Sequence, residues 1–89
     1  MKFEWNRDKN RRNIGKHGLD FRDASLFFEN PYLCSEDTRT EYKEKRHIAI
    51  GTVKGRVVVI VFTKRENKTR IISMRKANER EKKKVKNRL

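Results

Sequence analysis

Residues 57–62, Val-Val-Val-Ile-Val-Phe, form six apolar positions in a row, most of them β-branched, with Gly55 before them and a charged stretch after. A run that short with that bias predicts a strand buried on both faces. The polar residues 64–68 that follow have the length of a hairpin loop, with Asn67 suited to a left-handed backbone. The return strand, residues 69–75, alternates. Arg70, Ile72 and Met74 are therefore expected on one face, and Ile71, Ser73 and Arg75 on the other. Residues 46–51 also alternate and predict a strand, joined to the central one by a turn at Lys54-Gly55. Residues 2–5 predict a short edge strand, with Phe3 and Trp5 expected on opposite faces.

Helical signals flank these strands. Asn6 is placed to cap a helix that carries Asp8 in its first turn and runs to His17, where Gly18 can stop it. Apart from Ile14 this helix has no apolar face, so it is a solvated layer or faces a charged ligand. A second helix is expected from Asp20, with Asp23 as its capping-box partner and Phe21, Ala24 and Phe28 on one stripe, Phe27 beside it. Asn30-Pro31 ends it. Residues 32–34 predict a brief strand and 35–45 a polar loop or ragged hairpin. A terminal helix over residues 77–89 starts at Asn78 with Glu81 three positions on, and offers only Ala77, Val85 and Leu89 as apolar contacts. The expected architecture is one α+β domain over residues 1–89: a small antiparallel sheet packed against two N-terminal helices, with a C-terminal helix.

Composition changes what such a domain is for. Its 89 residues support one modest core. Lys and Arg number 25 against 12 Asp and Glu, for a net charge of +13. A small domain so charged calls for a polyanion: nucleic acid first, an acidic protein second, an anionic membrane a distant third. The single Cys34 excludes an internal disulfide and is expected to be a small buried apolar residue. No Cys/His cluster has zinc spacing, the N-terminus does not have the form of a signal peptide, and no apolar run has membrane-spanning length. The expectation is a cytoplasmic protein with no membrane association, metal or cofactor.

Particular residues narrow this further. Phe3-Glu4-Trp5 with Lys9 and Asn13, Lys16-His17-Gly18-Leu19-x-Phe21 with Ala24, Pro31, Glu44-x-Arg46 before Ile50-Gly51, the apolar strand, and Arg70-Ile71-Ile72-Ser73-Met74-Arg75-Lys76-Ala77 with Glu81 run nearly end to end. In that order and spacing the chain resembles the BrnT family, toxins of bacterial toxin–antitoxin pairs. The resemblance implies a RelE-like fold and a ribonuclease that slows translation and growth. It also implies a BrnA-like antitoxin with a ribbon-helix-helix part. The pair would form a heterotetramer around an antitoxin dimer and touch operator DNA only through the antitoxin. Two positions depart from the family pattern: Lys64 stands before Arg65 where an acidic residue is frequent, and Val85 stands where an aromatic is common.

Metal-free RNA cleavage by the 2′-hydroxyl needs a base, an acid for the departing 5′-oxygen, and positive charge against the phosphorane. Arginine suits the last role through its planar fork, and a preorganised donor of that kind is often worth ~3–4 kcal/mol of barrier. The expected catalytic cluster is Arg46, Arg65 and Arg75, with His17 approaching from the first helix as proton carrier and Glu44 as base or as the partner that orients Arg46. Lys16, Arg70, Lys76 and Lys82 are the expected RNA contacts. Plainer readings stand beside these: Arg75 pairing with Glu79 or Glu81, His17 completing a helix C-terminus, Lys16 and the lysines from Lys82 as solvated charge or as a seat for an acidic antitoxin. The competing functions are a non-catalytic RNA-binding module and a module that binds an acidic protein.

Overall fold

In a computed structural model that describes residues 1–39, 41 and 43–89, the chain forms β1 (Lys2–Trp5), α1 (Arg7–His17), a 3-10 turn (Phe21–Asp23), α2 (Ala24–Glu29), β2 (Leu33–Glu36), β3 (Arg46–Val53), β4 (Arg56–Arg65), β5 (Lys68–Lys76) and α3 (Glu79–Arg88). The strands make one sheet in the order β1-β5-β4-β3-β2. Strands β2 to β5 are an antiparallel meander, whereas β1 lies parallel to β5. The sheet is therefore mixed, not wholly antiparallel. Only β2 to β5 follow one another through loops and turns; β1 leads into α1 and meets β5 from far away in sequence, free of any hairpin constraint. Of the expected loop over residues 35–45, Ser35 and Glu36 extend β2, and Thr40 and Tyr42 lie outside the described residues.

Strand β4 is central and buried on both sides from Val58 to Thr63. Val58, Ile60 and Phe62 face a core completed by Leu19, Phe21, Ala24, Phe27, Ala49, Val53, Ile71 and Met74. Phe3 and Trp5 both pack against it, since residues two apart in a strand share a face. Gly51 lies beneath Phe27, where a Cβ would come within 2.9 Å of the ring. Phe27, not Phe28, is the fully buried member of the α2 stripe; Phe28 stands at the rim against Phe3 and Phe62.

The alternation expected for β5 is broken. Val61 pairs with Ser73 but Phe62 with Ile71, so Ile72 is an extra residue, a β-bulge. Ile71 and Met74 consequently share the core face. The slip also brings Arg70 and Arg75 to the same, opposite side of the sheet, which strict alternation keeps apart. Both hairpins turn tightly. Lys54 and Gly55 have φ of 50° and 78°, as the turn there predicts. In the second hairpin Glu66 (φ 51°), not Asn67, takes the left-handed position, because β4 and β5 extend far enough to leave a two-residue loop.

Helix α1 is capped as expected: the Lys9 amide donates to Asn6 Oδ1 (3.0 Å), and Gly18, at φ 69°, ends it. Polar pins hold it, for Ile14 is exposed. The Met74 amide donates to Asn13 Oδ1 (3.2 Å) and Asn13 Nδ2 to the Leu19 carbonyl (3.0 Å), both buried. Asn13 thus occupies the edge of β5 beyond the end of β1. Asp20 caps the next turn through the Arg22 amide (2.9 Å), while Asp23 makes no capping box and faces Lys54 instead (3.8 Å). At α3 the expected box between Asn78 and Glu81 does form, and no residue of that helix is buried. Cys34 is exposed on edge strand β2, so it is no core residue.

Candidate functional site

On the side of the sheet turned from the core, four strands bring one row of polar residues together. Glu4 pairs with Arg70, Arg70 with Thr63, and Thr63 with Arg46, along β1, β5, β4 and β3. At strand spacing this row spans about 14 Å. Thr63 is buried, and its hydroxyl donates to the Lys45 carbonyl (2.8 Å), which ties the loop before β3 to the sheet. That tie sets Glu44 beside the end of β4. There Arg65 grips it with both ends of its fork, Nε donating to Oε2 at 2.8 Å. Arg70 in turn lies 3.5 Å from the Glu4 carboxylate.

Glu44, Arg46, Thr63, Arg65 and Arg70 bound a hollow of about 330 Å³, with Lys9 of α1, Lys43 of the loop and the bulged Ile72 completing its wall. Five cations thus surround one lining carboxylate, Glu44. The hydrogen bonds from Arg65 hold the Glu44 carboxyl below its ordinary range against some desolvation, and the charges of Arg70 and Arg46 add to this. The same pair pushes the Arg65 guanidinium up. Among the described residues no three His, Cys, Asp or Glu side chains gather as metal ligands.

The expected catalytic grouping is assembled in part. Arg46, Arg65 and Glu44 share the hollow; Arg75 does not line it, and Arg70 takes its place. Arg75 sits roughly 15 Å further along β5. It donates both guanidinium ends to Glu81 (2.8 Å each), one of the plainer readings of that residue. His17 and Lys16 line a neighbouring groove on α1, Lys76 is exposed at the end of β5, and Lys82 faces Glu79 on α3 (3.3 Å). Lys9, Lys43 and Thr63 were not legible as site residues. Thr63 alone carried a signal, as the first polar residue ending the apolar run; Lys9 and Lys43 are lysines among many.

A cavity ringed by arginine and lysine on a domain of net charge +13 has the charge and the hydrogen-bond donors that suit a phosphate. The chain belongs to the BrnT family, the ribonuclease toxins of type II toxin–antitoxin systems: the family model matches residues 5–81. A toxin of this type has an antitoxin for partner. No curated protein matches the chain. Among the described residues no helix is long and apolar enough to cross a membrane.

Proposed function

We propose that the chain is a metal-independent endoribonuclease of RelE-like fold that acts in the cytoplasm to inhibit translation, with the hollow at the end of β3, β4 and β5 as its active site. The observation that carries this is the convergence of Arg46, Arg65, Arg70 and Glu44 on one cavity. Its five cations favour a phosphate and repel a metal ion. A phosphodiester entering it competes with Glu44 for Arg65. As the fork turns to phosphate oxygen, the carboxylate loses the hydrogen bonds that depress its pKa and becomes a better base. Glu44 then takes the 2′-hydroxyl proton, the 2′-oxygen bonds to phosphorus, and the bond to the 5′-oxygen breaks. The arginines hold the phosphorane charge, and an ammonium group of Lys9 or Lys43 returns a proton to the leaving oxygen. The products are a 2′,3′-cyclic phosphate and a 5′-hydroxyl.

Membership of the family supports an antitoxin partner, which in this reading is of ribbon-helix-helix type, joined in a heterotetramer around its own dimer and carrying the only contacts with operator DNA. The test of the site is cleavage of RNA in EDTA with mapping of the new ends. Cyclic-phosphate ends are expected, with Arg70→Ala and Arg46→Ala slower by about 10²-fold. Cleavage that EDTA abolishes, or that Arg70→Ala leaves at the wild-type rate, sinks the mechanism. Salt-sensitive RNA binding with no new ends would mark a binding module instead.

A further inference from the structure

The hollow adjoins a second one. Lys9 and Ile72 line both, and the second, about 390 Å³, continues along α1 past Arg12, Asn13, Lys16 and His17, with Ser73 opposite. At about 100° per residue, Lys9, Arg12 and Lys16 fall within one sector of the helix, while Arg7 and Arg11 project from the other side. Asn13, pinned to β5 and Leu19, fixes the rotation that turns this sector to the groove. Most arginines on the sheet and its loops are held by carboxylates. Among the described residues Lys9, Arg12 and Lys16 have no ion-pair partner, and all three are exposed.

We infer that this face of α1 is the track on which the RNA strand leaves the active site, an inference that rests on the ribonuclease reading of the hollow. A polymer whose phosphate sits among Arg46, Arg65 and Arg70 must run out of the cavity. Lys9 is the shared wall across which the charge continues. From Lys9 to Lys16 the helix rises about 10.5 Å, enough for roughly two nucleotides of extended strand. Their phosphates lie on Arg12 and Lys16. The bulged Ile72 offers an apolar ledge to a base at the junction, and the half-exposed His17 ring a stacking surface beyond it. An acidic segment of a partner protein is the rival occupant; continuity with the cavity favours RNA.

The experiment compares two charge-matched variants, Arg12→Gln/Lys16→Gln on the track and Arg7→Gln/Arg11→Gln on the far side. Glutamine keeps helix propensity, and all four positions are exposed. The probe is a 2′-O-methylated RNA of about a dozen nucleotides, which offers no nucleophile, bound at salt from about 50 to 200 mM. The track variant is expected to lose about 1.4 from the slope of log affinity against log salt, ~0.7 for each of two phosphate contacts, and the far-side variant to keep it. Equal losses in both variants, or none in either, overturn the assignment. So does a track variant that keeps its slope but no longer holds the antitoxin. Cleavage plays no part in this readout: failure of the ribonuclease site shows instead as full activity in Arg70→Ala.

Discussion

Arg70 and Arg75 are the same residue type on the same strand and face, yet the fold gives them different tasks. Arg70 borders a cavity with Arg46 and Arg65, whereas Arg75 is locked to Glu81. That carboxylate also accepts from the Asn78 amide (2.9 Å), so Arg75 secures the start of α3. Arg75→Ala is accordingly expected to cost about 1–2 kcal/mol, a drop in Tm of roughly 5–10 °C by calorimetry, and to leave the rate of RNA cleavage within a few fold. A rate as low as that of Arg70→Ala would return Arg75 to the chemistry. Acid sensitivity follows from a different pair. Hydrogen bonds from Arg22, against some desolvation, lower Asp20 from 3.8 to about 2. A depressed carboxylate stabilises the fold fully above its unfolded value and ceases to do so as pH falls through its folded one. Asp20 therefore withdraws its support between about pH 4 and 2. With the Arg22 end exposed to solvent, that support is roughly 1 kcal/mol. Urea midpoints for Asp20→Asn are expected to fall less steeply over that window than those of the wild type.

Helix α1 and the bulge in β5 together shape the site. The helix carries too little apolar surface to dock by burial, and Asn13 supplies the specific contacts that apolar side chains do not. Asn13→Leu leaves the Met74 amide and the Leu19 carbonyl buried without partners, so a loss of about 2–4 kcal/mol is expected in urea unfolding. A loss under 0.5 kcal/mol would show that the pin contributes nothing. The bulge re-aims β5: a strictly alternating strand would send Arg70 and Arg75 to opposite sides. Helix α3, with no buried residue, adds charge to the surface far more than it adds to the core.

A domain of net charge +13 repels itself, and a bound polyanion relieves that repulsion. Non-cleavable RNA at about a hundred times its Kd should add about 2.7 kcal/mol and raise Tm by some 10 °C or more in low salt. Most of that gain should vanish by about 0.5 M salt. A rise indifferent to salt would argue that burial, not charge, drives the association.

Much of this molecule is legible in its one-dimensional order. The β-branched run reads as a strand buried on both faces, Asn6, Gly18 and Asn78 mark helix ends through local hydrogen bonding, and the charge excess points to polyanions, because each is set by residues within a few positions or by simple counting. The site is not of that kind. Arg46, Arg65 and Arg70 converge because of strand register, and Arg75, on the same face, is kept out by roughly 15 Å of strand and by a carboxylate on α3. Lys9 joins them only because Asn13 lays α1 along β5. Pairing register, a bulge and a helix's docked rotation arise from contacts more than 60 positions apart, such as Lys2 with Lys68 and Asn13 with Met74. No local pattern encodes them, so the choice among this chain's many cations belongs to the folded arrangement.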